Sequence, residues 1–161
     1  MSVIAQADFP REPKTKDSVK ISFFYAVILV AFAVTQLFTF EEFLEYIPTL
    51  NLPIDDTASY ALAPILIVAE VFALPFLLRM RISIAFRYFS MFLGWVVAGL
   101  WLFITVWLAV SSSQAETVGF LGTLVSIMPG WWAVFISLAL GILAAWSSWG
   151  LWPGKNAKKK K

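Results

Sequence analysis

Apolar residues in this chain fall into four long runs, and the charged residues are almost confined to the stretches between them. A hydrocarbon layer of about 30 Å takes roughly 20 residues of α-helix at about 1.5 Å each, and four segments reach that length. Ile21 to Phe40 is uncharged between Lys20 and Glu41, and Thr57 to Leu78, between Asp56 and Arg79, carries only Glu70. Tyr88 to Val110 is neutral and breaks at Ser111, Ser112 and Ser113. Trp131 to Trp152 follows the helix-start pair Pro129-Gly130 and stops at Pro153-Gly154. The pattern predicts an all-α membrane protein. Its N-terminal arm is 1–20, and a four-helix transmembrane domain occupies 21–152, with helices at about 21–40, 58–78, 88–110 and 131–152. Loops 41–57 and 111–130 lie on one side of the membrane, and a Lys-rich tail, 153–161, lies on the other.

Composition excludes a water-soluble domain: 60% of residues are hydrophobic, 14% are charged and the mean hydropathy is +0.81. Charge placement sets the orientation. Basic residues occur at Arg11, Lys14, Lys16 and Lys20, at Arg79, Arg81 and Arg87, and at Lys155, Lys158, Lys159, Lys160 and Lys161. All twelve belong to the two terminal segments and the connection between the second and third helices. The other two loops hold Glu41, Glu42, Glu45, Asp55, Asp56 and Glu116, with no Lys or Arg. The positive-inside rule then predicts both termini and the Arg79–Arg87 turn on the cytoplasmic side of the membrane, with the basic residues touching anionic lipid. No cleavable signal peptide is expected, since the apolar run after the polar first 20 residues is of full span length. Trp131 and Trp132, Trp149 and Trp152, and Trp107 sit where interfacial anchors are expected.

The two acidic-side loops are too long for simple turns. Residues 41–57 mix Phe43, Leu44, Tyr46, Ile47, Leu50 and Leu52 with acids, which predicts a helical extension of the first span whose apolar residues lie along the membrane interface. The uncharged segment Thr117 to Met128 is too short to cross and reads as an interfacial or re-entrant piece. Ser137, Gly141, Ala144 and Ser148, with Gly94 and Ala98, offer small-residue faces for helix contact.

Glu70 is the candidate for chemistry. It lies nine residues from Arg79, about 13 Å into the membrane, where a bare carboxylate costs on the order of 2.5 to 3.5 kcal/mol. With no histidine in the chain and no cation within the spans, the group is expected to be neutral and hydrogen-bonded to the third or fourth helix. Equal counts from the basic ends put Leu29, Val96 and Trp146 at its level, so the candidate pocket is Glu70, Trp95, Trp146 and Ser147, with Ser148 also near. Thr35, Gln36 and Thr39 come out about 10 Å closer to the acidic side. Pro64 and Pro75 free the carbonyls of Tyr60 and Val71 and predict a kink around Glu70. Two readings stand side by side: a neutral interhelical clamp, and a proton or ligand site.

The stretch Gln36-Leu-Phe-Thr-Phe-Glu-Glu-Phe-Leu-Glu-Tyr-Ile-Pro48, followed by Pro64-Ile-Leu-Ile-Val-Ala-Glu70, resembles the DoxX/MauE-like family of small four-helix membrane proteins. The resemblance implies an accessory role beside a membrane-associated redox or maturation partner. The chain itself has no Cys for a thiol relay, no His for haem ligation and no nucleophile–base or phosphate-cradling motif. A non-catalytic subunit without cofactor or metal is therefore the leading expectation, with the bilayer and a protein as partners and no nucleic acid. A quinone or small-molecule binder built on Glu70 is the second, and a transporter or channel protomer the third.

Overall fold

The computed structural model describes residues 10–111 and 115–152, which form five helices. These are α1 (Lys16–Phe38), α2 (Phe40–Thr49), α3 (Asp56–Leu77), α4 (Ile84–Val110) and α5 (Trp131–Gly150). Four of them, α1, α3, α4 and α5, are long and apolar enough to cross a membrane, so the chain is a multi-pass helical protein whose exposed apolar surface suits lipid. Side-chain caps fix the starts of two of them. Thr15 caps α1 by accepting the Ser18 amide at 3.2 Å, with Asp17 in the first turn, and Ser83 caps α4 by accepting the Phe86 amide at 3.2 Å. The helix α1 starts before Ile21 because this cap carries the polar residues Lys16 to Lys20 as a helical turn.

The long helices close into a ring, α1 packing on α3 and α5, and α4 on α3 and α5. Large side chains such as Phe23, Phe92 and Ile142 point outward, while Tyr25, Leu29, Leu66, Val97 and Trp101 fill the interior. Of the expected small-residue contacts, Gly94, Ala98, Ser137, Ala144 and Ser148 are buried. Gly141 is different: a Cβ there would meet nothing within 4 Å, so it faces open space. The close approach is instead at Gly150, where a Cβ would collide with the Ser18 side chain, bringing the start of α1 against the end of α5.

Pro64 and Pro75 both lie inside the continuous helix α3. Near Pro75 the ladder is completed by another helix. The Ser90 hydroxyl of α4 donates to the Phe72 carbonyl at 2.6 Å and accepts the Phe76 amide at 3.0 Å, taking the place of one turn's own hydrogen bond.

The first loop departs from its expectation. The helix α1 stops at Phe38, and α2 restarts after Thr39, whose backbone (φ −110, ψ 34) leaves the helical region. Phe43 and Ile47, four residues apart, are fully buried, as are Leu50 and Leu52 nearly so, while Glu41, Glu42 and Glu45 stay exposed. These apolar residues therefore join the protein core, packing chiefly on α3, rather than lying in the lipid interface. At the opposite end of the bundle the Lys14 amide donates to the Gly150 carbonyl at 3.0 Å, and Arg79 donates to the Arg11 carbonyl at 3.3 Å. The N-terminal arm, the α3–α4 turn and the end of α5 thus share one end. The tail residues Lys155 and Lys158 to Lys161 lie outside the described residues.

Candidate functional site

Glu70 sits on α3 with none of its surface exposed. Its Oε1 accepts from the Gln36 side-chain amide of α1 at 3.2 Å and from the Trp101 indole N–H of α4 at 3.2 Å. Gln36 and Trp101 are equally buried. Three helices are thus tied through one carboxyl oxygen, and both donors are neutral. The second Gln36 N–H goes to the Phe120 carbonyl at 3.0 Å, which joins the loop before α5 to the same cluster.

The bond from Trp101 satisfies the expectation of a donor on the third span, but the expected pocket is not assembled. Trp95 donates to Ser148 at 2.9 Å and Trp146 packs edge-on against Trp149, both rings about half exposed on the outside of the bundle. Ser147 is buried with its hydroxyl unpartnered. Gln36, placed about 10 Å too shallow by counting, is a direct partner instead. Counting fails because basic residues are poor depth marks: Lys20 and Arg87 lie within α1 and α4 rather than at their ends. Trp101 is 14 residues beyond Arg87 and Gln36 is 16 beyond Lys20, against nine between Glu70 and Arg79. Long cationic side chains reach the interface from within a helix, so their Cα positions do not share one plane. The signal that could have found Gln36 was its being the only amide in any span.

The cluster is closed from the α2 side by the segment between α4 and α5. Thr117, Val118, Gly119 and Phe120 are buried although they belong to no helix, so this stretch packs into the protein core. The Phe120 ring stacks on Phe32 at 5.5 Å and meets Trp101 at 4.7 Å, while Phe32 and Trp101 are edge-on at 6.2 Å. Local chemistry shapes the turn. The Thr117 hydroxyl accepts amides from Gly119 at 3.3 Å and Ile127 at 3.0 Å, and Val118 donates to the Ile127 carbonyl at 2.8 Å. Gly119 and Gly122 take φ of +88 and +61, a left-handed backbone that glycine adopts without strain. A Cβ at Gly122 would strike the Thr39 hydroxyl and come within 3.2 Å of Gln36 Cα, so glycine lets this turn rest on the end of α1.

Side chains of α2 hold the segment down. The Tyr46 hydroxyl donates to the Thr117 carbonyl at 2.5 Å, and Thr123 donates to Glu42 at 2.6 Å. Burial raises the Tyr46 phenol above its ordinary value of 10.0. Beside this clamp lies a cleft of about 640 Å³ walled by Tyr46, Asn51, Trp107 and Glu116, with Trp107 donating to the Asn51 carbonyl at 3.0 Å. Among the described residues no group of three His, Cys, Asp or Glu side chains is placed to hold a metal ion. Comparison with models of known families, with characterised proteins and with solved structures finds no match to this chain.

Proposed function

We propose that this protein is a non-catalytic membrane subunit, similar in kind to DoxX-like proteins, that anchors or assists a membrane-associated redox or maturation partner. It lies in a bacterial inner membrane with both termini cytoplasmic and the α2 face outside. The carrying observation is the ordered cap that α2 and the 115–130 segment build over one end of the bundle. Tyr46–Thr117 and Glu42–Thr123 tie together two connections that need only be turns if spanning were their whole task, and Trp107–Asn51 ties the first of them to α4. The cap presents Glu41, Glu42, Glu45 and Glu116 to solvent on a fixed frame, a surface suited to a partner with a basic face. Interior polar groups support the same reading. Glu70, Gln36 and Trp101 bind one another, Tyr25 donates to the Gly94 carbonyl at 2.8 Å, and the Thr105 and Ser137 hydroxyls meet at 3.0 Å, so these groups join helices rather than line a passage.

The test is photocrosslinking from Glu45 and Glu116 in native membranes, followed by gentle solubilisation. A defined adduct with one protein that also co-purifies without crosslinking is expected. A clean monomer with no adduct from either position contradicts the proposal.

A further inference from the structure

The N-terminal arm carries more chemistry than its folding uses. Residues 10–15 belong to no helix, and backbone atoms hold them down: the Lys14 amide donates to the Gly150 carbonyl at 3.0 Å, and the Arg11 carbonyl accepts from Arg79 at 3.3 Å. The side chains of Arg11 and Lys14 stay exposed. They wall a cavity of about 270 Å³ together with Glu12, Gly150 and Trp152, and Trp152 stands edge-on against Tyr88 of α4 at 6.2 Å. Lys14 also places its Nζ 4.6 Å from the centre of the Trp149 ring. Trp149 in turn lines a second cavity with Trp146 and Ala145, an apolar groove of about 380 Å³ on the outer surface of α5, where both rings are about half exposed. Ala145 precedes Gly150 by about 7.5 Å of helix, so the groove begins next to the polar cavity, with Lys14 touching both.

We propose that the polar cavity and the apolar groove together bind one anionic phospholipid, with its phosphate against Arg11 and Lys14 and an acyl chain along Trp146 and Trp149. The charges suit that ligand: Arg11, Lys14 and Arg79 meet here against the single carboxylate of Glu12, a net attraction for a headgroup bearing one negative charge. The Gly150 carbonyl, at the negative end of α5, would repel a phosphate if left bare, and it already accepts the Lys14 amide. The order of the parts also suits it. The helix α5 is apolar enough to cross a membrane, so its groove opens to hydrocarbon while the cations stand at its end, as a phospholipid's chain and headgroup are arranged. Tryptophans that merely anchor a helix at the interface need neither a cavity nor a cation beside them. The site differs from the general attraction of basic residues for an anionic surface in demanding one lipid at one place. This inference rests on the chain spanning a membrane and not on the accessory role, so the crosslinking test above can succeed or fail separately.

The experiment is native mass spectrometry of the full-length protein in detergent, titrated with dioleoylphosphatidylglycerol and, in parallel, with zwitterionic dioleoylphosphatidylethanolamine. A single saturating adduct with the glycerol lipid is expected, held at least about tenfold more tightly than the ethanolamine lipid. Replacing both cations (Arg11→Gln with Lys14→Gln) should weaken it at least about tenfold, whereas Lys20→Gln, an exposed cation of α1 outside the cavity, should leave it unchanged. Ala145→Phe, which fills the groove from an exposed position, should weaken binding with every charge in place, and Glu12→Gln should tighten it. Inorganic phosphate should not displace the lipid, because it has no chain for the groove. Equal binding of the two lipids, equal losses from Lys20→Gln and the double variant, unchanged affinity in Ala145→Phe, or displacement by phosphate overturns the proposal. All these side chains are exposed, and the bonds that seat the arm come from the backbone of Arg11 and Lys14, so the variants retain the fold.

Discussion

A single oxygen, Oε1 of Glu70, holds donors from two other helices, so substitutions that keep or remove that acceptor measure what it contributes. Glu70→Ala strands the Trp101 N–H and one Gln36 N–H in the interior and is expected to cost about 1–3 kcal/mol or more once the cavity is included. Glu70→Gln keeps an acceptor oxygen in place and should cost less than about 1 kcal/mol, in line with typical interhelical hydrogen bonds in membranes. Unfolding in mixed micelles with a denaturing detergent measures both; equal losses in the two variants would refute the clamp. Glu70 itself was legible in the sequence, as the one charge inside a neutral run. Its partners were not, because depth had to be inferred from basic residues that sit inside their helices, and because Phe120 arrives from a loop whose fold depends on contacts 84 residues away.

Two glycines on α5 distinguish packing from mere small size. Gly150 backs directly on Ser18, whereas Gly141 faces open space, although spacing alone made Gly141 the more convincing contact residue. Gly150→Val should lower the melting temperature sharply and Gly141→Ala should leave it unchanged or raised, since alanine favours helix; circular dichroism on heating reads both. The cap has its own signature. With the folded-state Tyr46 phenol raised above 10.0, its contribution is complete at lower pH and is lost as pH climbs through and beyond that value. Protease cleavage within 115–130 should therefore accelerate above about pH 10 in wild type but be flat across that range in Tyr46→Phe, which starts from the weakened state. Helix lengths were legible because hydrocarbon thickness imposes them. The separate helix α2 and the Ser90 insertion into α3 were not, since each depends on what a neighbouring element presents rather than on the local pattern.

For the molecule as a whole, the four-span bundle gathers Arg11, Lys14 and Arg79 at one end and the acidic cap at the other, the asymmetry on which orientation and any partner's approach depend. The chain has no cysteine, so single cysteines report position without background. The decisive measurement is labelling of Glu45→Cys and Lys14→Cys in intact bacterial cells with a membrane-impermeant maleimide. The account predicts that position 45 reacts at once, and that position 14 reacts only after the membrane is opened. Reaction of both positions from the outside, or of position 14 alone, would contradict it.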